Sequence, residues 1–251
     1  MADLVFRARS PVEILDAAVS LFRRHAAQYV MITAAVVVPL AAVQLVVGPP
    51  DPTGAAGDVT SQLVNLLATV IGFSVVFSAL TRFGDAVYHG RTPDAGASLR
   101  AAVPLAPRII AATVAQWMLI FVGAFGLIIG AFWMLCLTFA VTPVLVLEGR
   151  SVADAFSRSS ALSKGRKRHI FSAVFLSGLV YTGVAIVVSL VGLFLEDAVV
   201  TLLLNTVVQL VAYPILSLTY LVLYYDARIR SEGYDLDVLQ ASLDPAPSAR
   251  A

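Results

Sequence analysis

From Ile109 to Leu147 the chain runs thirty-nine residues without a charged side chain. As a single helix this stretch would be about 58 Å long, roughly twice the ~30 Å of a bilayer's hydrocarbon core. It must therefore cross a membrane, turn and cross back, and the turn is expected in the glycine-rich stretch Gly123–Gly130. Four further uncharged runs are each long enough to cross once: Gln28–Val47, Gln62–Leu80, Ile170–Leu195 and Val199–Tyr225. The expected spans are thus 28–47, 62–80, 109–125, 131–147, 170–195 and 199–225. Only 13% of residues are charged and 59% are hydrophobic, whereas soluble domains carry about a quarter charged residues. The expected fold class is an all-α integral membrane protein of six transmembrane helices. It forms one membrane domain over residues 1–243, followed by a disordered tail at 244–251.

Orientation follows from the loops, because short loops rich in Lys and Arg stay on the cytoplasmic side. Arg7, Arg9, Arg23 and Arg24 precede span 1. Arg82, Arg91, Arg100 and Arg108 lie between spans 2 and 3. Arg150, Arg158, Lys164, Arg166, Lys167 and Arg168 lie between spans 4 and 5, and Arg228, Arg230 and Arg250 follow span 6. These are all seventeen cationic residues of the chain. The opposite loops carry only Asp51, Asp58, Glu196 and Asp197. Both termini are therefore expected in the cytoplasm. Fifteen Arg against two Lys, with abundant Ala and Val, suggest a GC-rich bacterial genome, and the expected location is a bacterial plasma membrane.

Ser10-Pro11-Val12-Glu13 reads as a capping box with proline at the first helical position. Thr92-Pro93-Asp94 and Ser151-Val152-Ala153-Asp154 are expected to start two further helices, with Thr92 and Ser151 as caps. Val152, Ala155, Phe156, Ser159 and Leu162 recur at helical steps. Three copies of one unit emerge: an amphipathic elbow helix, a span, a short outer turn and a second span. Each elbow is expected to lie flat at the interface beside the hairpin that it precedes.

Ionisable groups inside a membrane are costly and usually functional. None falls inside the six expected spans, so proton-coupled transport, voltage sensing and intramembrane acid–base catalysis lose their usual residues. His25, His89 and His169 sit at the cytoplasmic junctions and read as interfacial anchors. The single cysteine, Cys136, allows neither an intrachain disulfide nor a cysteine metal cluster. No catalytic motif, metal site or cofactor is expected. The intramembrane polar residues Asn65, Gln116, Asn205 and Gln209 suit hydrogen bonds between helices, and are also the candidate polar path of a carrier. Gly126 and Gly130 read as turn residues, and Pro39, Pro143 and Pro214 as kinks, one in each unit. Lys164, Arg166, Lys167 and Arg168 are the candidate contact for anionic lipid, at about 1 kcal/mol per residue.

Two stretches carry a family likeness. One is Thr142-Pro143-Val144-Leu145-Val146-Leu147-Glu148-Gly149-Arg150-Ser151, continuing through Arg158-Ser159 to Leu162-Ser163-Lys164-Gly165. The other is Tyr224-Tyr225-Asp226-Ala227-Arg228-Ile229-Arg230 with Glu232-Gly233-Tyr234-Asp235-Leu236. The chain resembles the six-span bacterial family named for the membrane domain of glycerophosphoryl diester phosphodiesterase. Some members carry a fused cytoplasmic catalytic barrel, and no such barrel lies in this sequence. The resemblance therefore implies a membrane module without that enzymatic activity.

The expected function is a non-enzymatic multi-pass module of the cell envelope, a scaffold or accessory subunit. The alternative is a carrier for a lipid or a neutral or amphipathic solute. The expected partners are membrane lipids, anionic phospholipids among them, and a membrane or cytoplasmic protein; nucleic acid is not expected. The orientation is testable by thiol labelling of intact cells. Cysteines placed at Asp58, Gly126 and Asp197 are expected to react with an impermeant reagent, and those at Arg100, Lys164 and Glu232 to stay protected. External labelling at Lys164 would reverse the orientation.

Overall fold

The computed structural model describes residues 7–47, 59–125, 127–195, 197–234 and 236. The expectations for Asp51, Asp58, Gly126, Glu196 and the 244–251 tail lie outside the described residues. Every regular element is helical: α1 (Pro11–Arg24), α2 (Ala26–Val47), α3 (Val59–Tyr88), α4 (Ala95–Ala102), α5 (Ala106–Ala124), α6 (Leu127–Thr138), α7 (Val141–Pro143), α8 (Val152–Ser163), α9 (Lys167–Leu195) and α10 (Ala198–Glu232). A 3-10 turn, Val103–Leu105, joins α4 to α5, and a π-helical turn, Val144–Glu148, follows α7. Six helices are long and apolar enough to cross a membrane, as the uncharged runs require. Several overrun those runs. The 35 residues of α10 reach about 52 Å, so its last turns stand clear of the hydrocarbon.

The elbows begin largely as the cap chemistry dictates. Ser10 Oγ accepts the Glu13 N–H while Glu13 accepts the Ser10 N–H, completing the capping box of α1. Ser151 caps α8 by accepting the Asp154 N–H. The cap of α4 is Asp94, not Thr92: its carboxylate accepts the Ala97 N–H at 3.0 Å. A carboxylate at this position both satisfies an orphan donor and complements the helix dipole, which a threonine hydroxyl cannot do.

The elbows do not pack mainly beside their own hairpins. Instead α4 lies on α2 and α3, α8 lies on α5 and α6, and α1 lies on α9 and α10. Each elbow thus rests on the preceding hairpin, and the first rests on the last. The connections explain this. His25 alone joins α1 to α2 and the 3-10 turn joins α4 to α5, so the chain bends without folding back. The buried stripe of α1, Ile14, Ala18 and Leu21, is covered mainly by α9 and α10. With α10 against α2 and α3, α3 against α5 and α6 against α9, the three hairpins close into a ring.

Burial is concentrated toward the end of the bundle that carries the basic residues. Tyr29, Phe83, Ile109, Leu162, Ile170 and Leu221 are fully enclosed there. At the opposite end Phe125, Ile129 and Phe194 are exposed, as side chains facing lipid must be. Lipid is as apolar as leucine, so helices in it associate through polar links and small residues. Ser74 bonds Thr113 between α3 and α5, and Thr81 meets Ser217 between α3 and α10. Gly130 is not a turn residue: it lies inside α6, and a methyl group there would fall on the Gly123 carbonyl oxygen of α5. Gly123 and Gly130 let the two helices touch, and the turn between them is shorter than expected.

Pro39 and Pro214 sit within continuous helices, whereas the fourth span is interrupted at Phe139–Ala140. Pro143 offers no N–H to the Phe139 carbonyl and its ring crowds that oxygen, so the helix breaks one turn earlier. The elbow α8 repairs the break, because Ser159 Oγ accepts the freed Ala140 N–H at 3.0 Å and is fully buried. Replacing Ser159 with Ala leaves that donor unpaired, and is expected to cost about 1–3 kcal/mol. Thermal unfolding of the purified protein should show this loss for S159A and none for S160A, whose hydroxyl makes no such bond.

Candidate functional site

Each hairpin ends at the basic side with a carboxylate: Asp85 in α3, Glu148 closing the π-helical turn and Asp226 in α10. Each is bound by an arginine that leads into the next elbow around the ring. Arg91, ahead of α4, pairs with Asp85. Arg150, ahead of α8, donates to Glu148 at 2.6 Å. Arg9, ahead of α1, donates its backbone N–H to Asp226 at 2.7 Å. A glycine at positive φ closes each hairpin nearby: Gly90 and Gly149 at 66° and Gly233 at 67°. That backbone region is cheap only for glycine, so the first two turns set where Arg91 and Arg150 begin and the third ends α10.

Asp226 is the deepest of the three, with only 1% of its side chain exposed. Besides the Arg9 N–H it accepts from His169 Nε2 at 3.0 Å and from Arg230 Nε at 2.9 Å. Arg230 also donates to the Arg9 carbonyl at 2.8 Å, so the entry to α1 is gripped through both its backbone groups. The residues before Asp226 reach the other two hairpins. Tyr225 OH donates to Asp85, and Tyr224 OH donates to Glu148 at 2.8 Å. Three consecutive residues of α10 therefore tie together all three units.

An aromatic ladder runs across this hub. Tyr88 and Tyr225 stack with centroids 4.9 Å apart, and Tyr225 and Tyr234 stack at 5.5 Å. Arg9 lies over Tyr88 at one end and Arg228 over Tyr234 at the other, at 5.9 and 4.1 Å. Beside the ladder is a cleft of about 500 Å³, open at the basic end. Its walls are Asp85, His89, Arg91, Leu147, Glu148, Tyr224, Tyr225, Arg228 and Tyr234. Leu147 and Glu148 at the end of the fourth span meet Tyr224, Tyr225, Arg228 and Tyr234 of the last hairpin here. The carboxylates are already saturated: Glu148 also takes Arg158 at 3.3 Å, and Arg158 in turn pairs with Glu232. The arrangement can hold a ligand, but it presents no unengaged base for proton abstraction. Among the described residues no three His, Cys, Asp or Glu side chains are grouped to hold a metal ion.

The residues singled out from the sequence are distributed differently. Lys164 and Arg168 are exposed. Arg166 donates to the Arg230 carbonyl at 2.6 Å, and the Lys167 ammonium sits 3.3 Å from the centre of the Trp133 ring. Within the apolar region Gln116 donates to Thr138 Oγ1 at 3.1 Å, linking α5 and α6. Asn205 bonds back to the Thr201 carbonyl of its own helix, and Asn65 is buried. Gln209 lines a cavity of about 60 Å³ with Gln44, Thr69, Thr206 and Tyr213, and the other three line none of it. The hub escaped sequence reading because its acids stand just past the apolar runs, where charge is ordinary. The readable signal was an arginine before each elbow: Arg9-Ser10, Arg91-Thr92 and Arg150-Ser151.

His89 is half-buried between two units. Its Nδ1 lies 2.9 Å from the Asp85 carbonyl oxygen and 3.1 Å from the Asp85 carboxylate, and its Nε2 lies 3.1 Å from Tyr234 OH. Its pKa is raised, chiefly by the hydrogen bond to the Asp85 side chain. A raised value in the folded state means that the native protein holds the proton more tightly. The resulting stability is fully present below the unfolded value of about 6.5 and is lost as pH rises through the raised one. Thermal stability should therefore fall with rising pH across that window, and H89Q should flatten the fall. A wild-type curve without this slope would overturn the assignment. The function of the cleft rests on its own geometry, for no family model, curated protein or solved structure matches the chain.

Proposed function

We propose that this chain is a non-enzymatic module of a bacterial plasma membrane, with both termini cytoplasmic, that serves as a scaffold or accessory subunit. Its working face is the cleft at the basic end. One contrast carries this reading: the cleft measures about 500 Å³, while the cavity among the apolar helices measures about 60 Å³. The smaller volume has room for a few waters and not for a solute. The saturated carboxylates and the tightly packed basic half support a rigid platform over a moving gate. The resemblance to the membrane-domain family agrees with a module that works beside other components. The carrier reading draws on Gln44, Gln209 and Tyr213, polar groups that share the small cavity.

A photoreactive residue at position 91, on the rim of the cleft, tests the choice in living cells. A discrete covalent protein adduct from position 91, absent when the probe stands at lipid-facing Trp117, is expected for a scaffold. Absence of any protein adduct, with saturable solute uptake into proteoliposomes, would replace the scaffold with the carrier.

A further inference from the structure

We infer that the cleft is a binding site for a phosphate-class oxyanion, held between Arg91 and Arg228. The inference deepens the reading of the cleft as the working face. Its ground is an asymmetry between the two signs of charge on the cleft walls. Asp85 and Glu148 are drawn in, with side chains 14% and 16% exposed. Asp85 is taken by Arg91, His89 and Tyr225, and Glu148 by Arg150, Arg158 and Tyr224. A cation entering the cleft meets lone pairs already in use.

The guanidinium groups stand further out: Arg91 is 61% exposed and Arg228, deeper in the wall, 23%, with Arg150 beside the cleft at 47%. Arg91 spends its Nη2 on Asp85. Arg228 spends Nε on Glu232 and Nη1 on Tyr224 OH. A guanidinium carries further N–H donors in a rigid planar fork, and no acceptor. The remaining donors of both arginines can turn to a ligand, and a planar fork matches the spacing of two phosphate oxygens. The carboxylates orient these cations without cancelling their outward face. Arg228 Cζ lies 4.1 Å from the centre of the Tyr234 ring, and this contact with its bonds to Glu232 and Tyr224 leaves little side-chain freedom to be lost on binding. His89, whose pKa is raised by the Asp85 side chain, stands on the same wall.

Size narrows the ligand. A cleft of about 500 Å³ is in the range of small-molecule sites and exceeds what a bare phosphate fills. The oxyanion is therefore one end of a larger molecule, either a soluble phosphate ester or a lipid head group reached from the adjoining leaflet. The site is separate from the Lys164–Arg168 run, where Arg166 and Lys167 are turned to Arg230 and Trp133.

The test uses the full chain in nanodiscs. Titration calorimetry with inorganic phosphate reads the soluble source. Native mass spectrometry of phosphatidic acid retained over phosphatidylcholine reads the lipid source. At least one probe is expected to bind saturably, and R91Q and R228Q are each expected to weaken it by about tenfold or more. R168Q, outside the cleft, should bind as the wild type does. R91K, which keeps the charge and loses the fork, should fall between wild type and R91Q. Because Arg91 is largely exposed, R91Q keeps the test open even if R228Q fails to fold. Binding of either probe that is equal in wild type and R91Q would overturn the proposal, as would the absence of saturable binding of both. A missing protein adduct at position 91 with intact phosphate binding would sink the scaffold and leave the oxyanion site standing.

Discussion

A carboxylate that is 99% enclosed at the edge of a membrane domain is tolerable only if every lone pair facing the protein is engaged. Asp226 meets that condition with donors from three directions: the Arg9 backbone from the chain's start, His169 from α9, and Arg230 one turn along α10. Removing one partner of such a group is costly because the charge that remains has nothing to replace it. The rest of the architecture is arranged around this demand. With Arg9 drawn to Asp226, α1 must lie across the last hairpin, and Tyr224 and Tyr225, its neighbours in sequence, must face Glu148 and Asp85.

The result is a bundle whose order is unequal along the membrane normal. Near the basic end charges, rings and buried side chains interlock, and there the ladder from Arg9 to Arg228 spans five tyrosine and arginine layers of the hub. Toward the other end the helices present bulky apolar side chains outward. Lipid offers no hydrophobic force to draw such helices together, so the far half relies on local devices such as the Gly123–Gly130 approach. The polar hub thus supplies an association energy that hydrocarbon cannot.

Much of the fold was legible in the sequence, and for a simple reason. The uncharged runs and the sidedness of Lys and Arg are statements about single residues and water, and they need no knowledge of neighbours. The six spans, the capping box at Ser10 and the cap at Ser151 follow from that kind of rule. Pairings between units were not legible, because hydropathy is silent on which hairpin an elbow covers. The cap at Asp94 in place of Thr92 turned on a competition between two good caps two residues apart. The break at Phe139 needed both Pro143 and a distant Ser159. The cleft itself was hidden in plain view, since Tyr224-Tyr225-Asp226 looks like the ordinary aromatic and charged border of a span until three hairpins converge on it.

The exchange of elbows around the ring also bears on how the chain comes to be made. The helix α1 is synthesised before α9 and α10, yet these later helices cover its apolar stripe. Through most of its birth on the ribosome the protein carries an amphipathic segment with no permanent berth, and an interfacial position against the lipid is its natural waiting place. Only when Asp226 has emerged can the Arg9 backbone find its acceptor. The ring is then shut by an earlier segment, α1, docking on a later one, α10. A nascent chain stopped after the second hairpin lacks this closure, with Ile14, Ala18 and Leu21 still uncovered by protein. Quality-control machinery that recognises apolar surface would thus have a direct mark of incompleteness to read, erased once α10 is in place.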